Sequence, residues 1–244
     1  MTKSLEKSHF AVRPESEPED ARVLAKLLNR RFSCRGFLPT PVPHETIEAF
    51  LNVAQLGASW CNSQAWQVIV TEGPGTERFR KVLSEYATSP KGEEMKGDFP
   101  FPARYTGRYQ ERRRECGMQL YEAVGVAMGD RVASGKQNLQ NFSFFGAPHA
   151  MVITTGRDIG VYGAVDCGGY VANVMLAAQS FGVDTIAQAA IAALGPCVRE
   201  FFEIPEDRMI VCGMSFGYAD PDHPANKFRT RRDGIDEIVQ WVAE

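Results

Sequence analysis

Three short segments, far apart in the chain, carry side chains able to bind and orient a small molecule. Arg30-Arg31-Phe32-Ser33-Cys34-Arg35-Gly36-Phe37 gathers guanidinium groups around a hydroxyl. Ser59-Trp60-Cys61-Asn62-Ser63-Gln64-Ala65-Trp66 sets two amides between two indoles, and Asn226-Lys227-Phe228-Arg229-Thr230-Arg231-Arg232 is again cationic. Guanidinium pairs bidentately with phosphate, and serine adds a neutral donor. Asparagine and glutamine both donate and accept, as the edge of a flat heteroaromatic ring requires. Together the segments suit a flat heteroaromatic phosphate. Each segment alone also reads as solvated surface charge or as turn residues, and at this level both readings stand.

Other patterns point elsewhere or nowhere. Gly213-Met214-Ser215-Phe216-Gly217 fits the G-x-S-x-G elbow of hydrolases, which must join a strand to a helix, with the acid and histidine well downstream. The following Tyr218-Ala219-Asp220-Pro221-Asp222-His223-Pro224 cannot be a helix. The pattern therefore reads as small residues at a tightly packed strand end. Gly160-Val161-Tyr162-Gly163 and Gly168-Gly169 match neither a dinucleotide fingerprint nor a P-loop. The four histidines lack metal-ligand spacing, so no protein-built metal site is expected. The six cysteines form no C-x-x-C pair and are expected as free thiols in a reducing cytoplasm. Lys+Arg 27 against Asp+Glu 30 leaves no basic field for nucleic acid.

These residues need a frame. Residues 1–18 are polar and read as a flexible arm without the apolar core of a signal peptide. Apolar periodicity predicts helices over 19–31, 43–57, 76–86, 108–132, 164–181, 196–202 and 233–242, the last with Ile235, Ile238, Val239 and Val242 on one face. Strands are predicted over 66–71, 150–155 and 209–216, with a short strand or turn at 185–190. The nearly uncharged run Cys167–Val198 holds Asn173, Gln179 and several glycines, and its helical part reads as a central helix rather than a membrane span. Strands and helices mix without regular alternation, which argues for an α+β layered domain and against a doubly wound one. Residues 19–244 are expected as a single domain, with an irregular segment over 88–107 and an extended polar arm from 222.

The order and local patterns resemble the nitroreductase family of FMN-dependent oxidoreductases. R-R-F-S-C-R-G-F-L-P-T-P-V-P-H-E-T-I resembles that family's opening motif and G-A-S-W-C-N-S-Q-A-W its second. The likeness continues through Phe145-Gly146-Ala147-Pro148, the central helix, Gly182-Val183-Asp184-Thr185 and V-R-E-F-F-E-I-P-E-D to the R-T-R-R arm, covering roughly residues 20–244. It implies a three-layer sandwich, a mostly antiparallel sheet flanked by helices, with the C-terminal arm (222–244) exchanged in a homodimer whose sites draw on both chains. It implies that Arg31, Phe32, Ser33 and Arg35 lie near the phosphate, ribityl chain and ring edge of FMN, and that Asn62 and Gln64 bond its ribityl or pyrimidine end. Gln188, Ala189 and Ala190 fall where the family sets backbone N–H groups near flavin N5, and Arg229 and Arg232 complete the phosphate site. Two departures stand out: Ala65 replaces the usual proline, and Ala189-Ala190 replaces the acidic-plus-glycine pair of some subfamilies.

The implied reaction is ping-pong hydride transfer, from NADH or NADPH to FMN and then to an electron-poor acceptor, a nitroaromatic or a quinone, with no side-chain acid or base. Rival readings are flavin fragmentation or reductive dehalogenation on the same fold, a flavin-binding protein without turnover, and the Ser215 hydrolase. Candidates to line an aromatic acceptor pocket are Trp60, Phe99, Phe101, Tyr105, Tyr109, Phe144 and Phe145, several of which also read as ordinary core. The variable segment 88–134 is where acceptor choice is expected to reside. Its Arg104, Arg108 and Arg112 to Arg114 suit either a ligand anion or a solvated helix face.

Overall fold

The computed structural model of the chain describes residues 17–243. The flexible-arm expectation for the N-terminus therefore falls almost entirely outside the described residues. In chain order the elements are α1 (Glu19–Arg30), α2 (His44–Ala54), β1 (Trp66–Thr71), α3 (Pro74–Ala87), α4 (Pro90–Glu93), α5 (Gly107–Ala123), α6 (Arg131–Leu139), β2 (His149–Gly156), α7 (Gly160–Ser180), β3 (Asp184–Gln188), α8 (Ala189–Ala193), α9 (Gly195–Phe202) and β4 (Arg208–Gly217).

The strands form one antiparallel sheet in the order β1-β2-β4-β3. Because successive strand side chains point to opposite faces, β2 feeds two cores at once. Ala150 and Val152 pack with Phe79, Leu83, Ile191 and Val198 from α3, α8 and α9. Met151 and Ile153 pack with Ile47, Phe50, Val171 and Val174 from α2 and α7. The result is helix layer, sheet, helix layer, the expected α+β sandwich. A register shift between Ile153 and Thr154 interrupts the pairing with β4, which places Ile210 in the first core and Met214 and Phe216 in the second.

Ser215 lies fully buried inside β4 and donates to Gln188 Oε1. No strand-to-helix turn comes after it, so the hydrolase pattern has no structural counterpart. A Cβ at Gly213 would run into Ile191, so the small residues here admit α8 against the sheet.

Two helices differ from their sequence expectation. The helix predicted over 108–132 ends at Ala123 and restarts as α6, where Asp130 accepts from the Ala133 N–H at 2.9 Å. The helix predicted over 233–242 is a single 3₁₀ turn, Ile235–Glu237. Among the described residues its apolar stripe has nothing to bury against (Trp241 is 79% exposed), and a helix that short does not persist without a packed face. The helix α7 is long and apolar enough to cross a membrane, yet packs through Cys167, Val171, Val174 and Ala178 onto α2 and the sheet. It is not apolar-buried all round, since Val161, Tyr162 and Val165 on its first turns are exposed.

His149, buried at the start of β2, ties the chain just after the first motif to the sheet. Its Nε2 accepts from the Val42 N–H at 2.9 Å, and its ring stacks on Phe216 at 5.0 Å. Burial lowers its pKa, outweighing the opposing pull of the Thr71 backbone and Glu72. A histidine with a depressed folded-state pKa binds fewer protons folded than unfolded. Its contribution is thus full above the unfolded value of about 6.5 and is lost as pH falls through that value toward the native one. Exposed His44, raised by its hydrogen bond to Glu72, works the other way in the same window, so the informative measurement compares two proteins. Between pH 8 and 5 the urea midpoint of His149→Gln, whose amide oxygen accepts from Val42 at every pH, is expected to fall less than that of wild type. Parallel curves would remove His149 as the cause.

Candidate active site

The first motif leaves α1 at Arg31, where the backbone turns extended, and runs along the open edge of β3. Ser33 bridges Thr185 in parallel, and the Cys34 N–H donates to Thr185 O at 3.1 Å. Buried Cys34 anchors the segment in the core while Ser33 on its near side is exposed. The C-terminal arm then closes on it. Asn226, itself buried, accepts from the Arg35 N–H at 2.8 Å and donates to Gly36 O at 2.8 Å and Asp220 O at 2.9 Å. Any Cβ at Gly36 would collide with the His223 ring, so only glycine lets the arm approach this closely.

This docking brings the two arginine clusters to one cavity. It is about 500 Å³ and holds Arg31, Phe32, Ser33 and Arg35 on one side, Phe228, Arg229, Thr230 and Arg232 on another, and Leu24 and Leu28 of α1 beside them. Among the described residues, no acidic one lines it. Burial lowers the pKa of Arg31 and of Arg35, and Arg232 pushes Arg31 further in the same direction. The Arg229 guanidinium lies 3.9 Å from the centroid of the Phe32 ring, a cation–π contact that holds it in place. Asp184 is the acid whose charge reaches Arg229, and the cations still outnumber it, so the folded state favours an anion.

The second motif lies elsewhere in the chain's own fold. It runs through a 3₁₀ turn (Trp60–Asn62) into β1 at the far edge of the sheet. Gln64 Nε2 donates to Asn62 Oδ1 at 3.2 Å, Gln55 donates to Gln64 Oε1 at 3.1 Å, and the Trp66 indole N–H donates to Gln55 Oε1 at 2.9 Å. Trp66 pairs through Thr155 with Met209 at the start of β4, whereas Ser33 reaches Phe216 near its end through Thr185. At about 3.3 Å per residue and about 4.8 Å per strand, the two motifs meet the sheet roughly 25–30 Å apart, on its diagonal. None of residues 59–66 lines the arginine cavity.

The remaining candidates divide. Ala189 and Ala190 open α8, where first-turn N–H groups have no intrahelical acceptor, and Ala189 is exposed. Gln188 is a correction: its side chain turns inward, donating to Asn141 O at 2.8 Å and accepting from Ser215, because a buried amide must be satisfied. Only the side-chain amide is spent inside the fold, which leaves the backbone N–H expectation as it was. Phe144 and Phe145 are likewise corrections. Both are buried in the core beside Phe79, so their rings line no open pocket. Trp60, Phe101, Tyr105 and Tyr109 are exposed and Phe99 half-buried, with Trp60 against Tyr162 at 5.1 Å. Arg108 and Arg112 pair with Asp233, Arg108 with Glu237 at 2.7 Å, and Arg231 with Glu115 at 3.0 Å. These arginines clasp the arm to α5. Asn226 and Asp166, to which the sequence assigns no role of their own, organise the first and second motifs. Asn226 lies inside the third cationic segment, whereas Asp166 carries no signal beyond being an acid on an apolar helix.

Sandwich and cavity together define an α+β protein whose sheet edge and C-terminal arm frame an anion-compatible site. The sequence model of the nitroreductase family matches residues 28–218, and the chain belongs to that family. It is 31% identical over 218 residues to a 4-nitrobenzoate reductase of Nocardioides sp. (strain LMS-CY), covering 88% of each chain. It is 31% identical over 222 residues to nitroreductase NfnB of Mycolicibacterium smegmatis, covering 91% of this chain and 93% of that one. Among solved structures, the FMN-dependent nitroreductase NfnB from Mycobacterium smegmatis in complex with NADPH matches at a TM-score of 0.87 and 30% identity, over 92% of this chain and all of that one.

Proposed function

We propose that this chain is an FMN-dependent oxidoreductase that takes hydride from NADH or NADPH and reduces an electron-poor aromatic acceptor, a nitroaromatic or a quinone, as a homodimer. The observation that carries this reading is the cavity in which Arg31, Arg35, Arg229 and Arg232, from opposite ends of the chain, converge, with no acid among the described residues that line it. The FMN and NADPH dependence in the names of its similar structures supports the cofactor assignment.

The residues present fit FMN. The four guanidiniums would neutralise its phosphate, and the exposed Ser33 hydroxyl would donate to it or to the ribityl chain. Asn62 and Gln64 would bond the pyrimidine end, and the Ala189 and Ala190 N–H groups would face N5, where donors favour the electron-rich form. When bound, FMN supplies the hydride chemistry, accepting two electrons from the nicotinamide and passing them to the acceptor. The protein's part is binding, orientation and electrostatics, so no side-chain acid or base is required. Trp60, Phe99, Tyr105 and Tyr109 remain as aromatic groups for an acceptor, and the variable segment 88–134 would select it.

The dimer is inferred from the 25–30 Å diagonal between the motifs, too far for one cofactor to touch both within a single chain. It would also cover apolar surface that the chain leaves open: Val23, Leu24 and Leu28 of α1, Val161 and Val165 of α7, and Ile235, Ile238 and Trp241 of the arm. Both cores share one sheet, which supports a single domain over 19–244. The six free thiols support a reducing, cytoplasmic setting.

Protein reconstituted with FMN should be yellow, and anaerobic NADH or NADPH should bleach it within seconds. A nitroarene or a quinone should then restore the colour. A protein that takes up no FMN overturns the reading. One that binds FMN yet is never bleached becomes a flavin carrier instead.

A further inference from the structure

Asp166, on the second turn of α7, belongs to none of the motifs, yet all its hydrogen bonds go to one of them. The Trp60 N–H donates to Oδ1 at 3.0 Å and to Oδ2 at 3.1 Å, and the Ser63 hydroxyl donates to Oδ2 at 3.2 Å. The residue is only 8% exposed, and among the described residues no lysine, arginine or histidine pairs with it. A carboxylate in such a place depends on the N–H and O–H groups aimed at it, and they on it.

The turn it holds has two backbone bonds of its own, from Asn62 to Ser59 O at 3.1 Å and from Ser63 to Trp60 O at 2.9 Å, and carries strain as well. Cys61, Asn62 and Gln64 all sit at positive φ, at 49°, 55° and 47°, where the Cβ of a non-glycine residue crowds the backbone. Strain of this kind persists only where surrounding bonds over-determine it. Asp166 fixes the turn at its start, through Trp60, and at its centre, through Ser63. Ser59 Oγ fixes its end by accepting from the Gln64 N–H at 2.9 Å. The orientations of the Asn62 and Gln64 amides depend on that backbone.

We propose that Asp166 is the positioning residue of the cofactor site: it holds the Trp60–Gln64 turn left-handed so that Asn62 and Gln64 meet the ring end of the flavin. It touches no cofactor itself. The inference rests on the FMN reading above and adds a division of labour to it. Arginines at one sheet edge take the phosphate, and a buried carboxylate at the other sets the groups that take the ring.

That division gives a readout beyond turnover. Riboflavin shares the ring and lacks the phosphate. With apoprotein, flavin fluorescence quenching should show Asp166→Asn weakening riboflavin and FMN by a common factor, on the order of tenfold, and Asp166→Ala weakening both further. Asn62→Ala should match that pattern, whereas Arg31→Ala should weaken FMN alone. Folded Asp166→Asn with both affinities within twofold of wild type overturns the proposal. So does a loss confined to FMN, or a lowered melting temperature with riboflavin affinity intact, which would leave Asp166 a residue of the fold only. Should Asp166→Asn fail to fold, Ser63→Ala removes one of the same bonds from an exposed side chain and should weaken riboflavin a few-fold; unchanged affinity there overturns it equally. A wild type that binds neither flavin defeats the cofactor reading first.

Discussion

Replacing Arg31 and Arg35 together with alanine is expected to weaken FMN binding by about 2–4 kcal/mol, roughly thirty-fold to a thousand-fold, from the strength of charge-assisted hydrogen bonds to phosphate. The direction of the effect on the empty protein separates this from ordinary damage. Among the described residues neither arginine has a carboxylate partner, both are partly buried, and Arg31 faces Arg232. Removing them relieves repulsion and desolvation in the apoprotein, so its melting temperature should hold or rise. A structural arginine such as Arg199, which donates to Asp98 at 2.8 Å and to three backbone carbonyls around α9, would behave oppositely. The anchoring of the first motif survives the substitution, because it uses the Arg35 backbone N–H and not its guanidinium. Titration with FMN and with riboflavin, beside thermal melts of the apoprotein, checks all three expectations. Unchanged FMN affinity would refute the assignment of these arginines to the phosphate.

How far the chain alone can be read depends on the range of the forces involved. The strand Trp66–Thr71 was legible to the residue, because β-branched side chains and the Gly73-Pro74 break are local signals. Pro196 in the first turn of α9 was legible for the same reason. The meeting of Arg31 with Arg232 was legible only through resemblance, since no local pattern states a contact across two hundred residues. Asp166 was not legible at all. Its partners are a backbone N–H and a hydroxyl more than a hundred residues upstream, and neither leaves a mark on sequence periodicity. Gln188 misled for a related reason: an amide beside a predicted site serves equally well as an internal strut, and only burial decides between the two. The arginines of α5 stayed ambiguous because their acids lie in the arm. The stripe of Ile235, Ile238, Val239 and Val242 is a true amphipathic period without a burying surface among the described residues. A periodic pattern states that burial is sought, not where the burying surface comes from.

That missing surface, and the diagonal between the motifs, lead to the prediction with the most decisive outcome. Consider one variant lacking the phosphate arginines, Arg31→Ala with Arg35→Ala, and a second lacking the ring amides, Asn62→Ala with Gln64→Ala. If each site takes its first motif from one protomer and its second from the partner, each variant alone has two damaged sites. In a mixed dimer the damage segregates: one site collects all four substitutions, and the other collects none. Random exchange of equal amounts makes half the dimers mixed, each with one intact site, so about a quarter of wild-type flavin sites should reappear on mixing. If instead both motifs of a site came from one chain, every site in every dimer would carry damage and mixing would restore nothing. The two geometries therefore differ between about 25% recovery and none, with no dependence on how much any single substitution weakens binding beyond abolishing it at working flavin concentration. The exchange itself needs mild denaturant or co-expression, because the apolar faces of α1, α7 and the arm, once buried between protomers, resist separation. Flavin retained after gel filtration, counted per protomer, reads the answer directly.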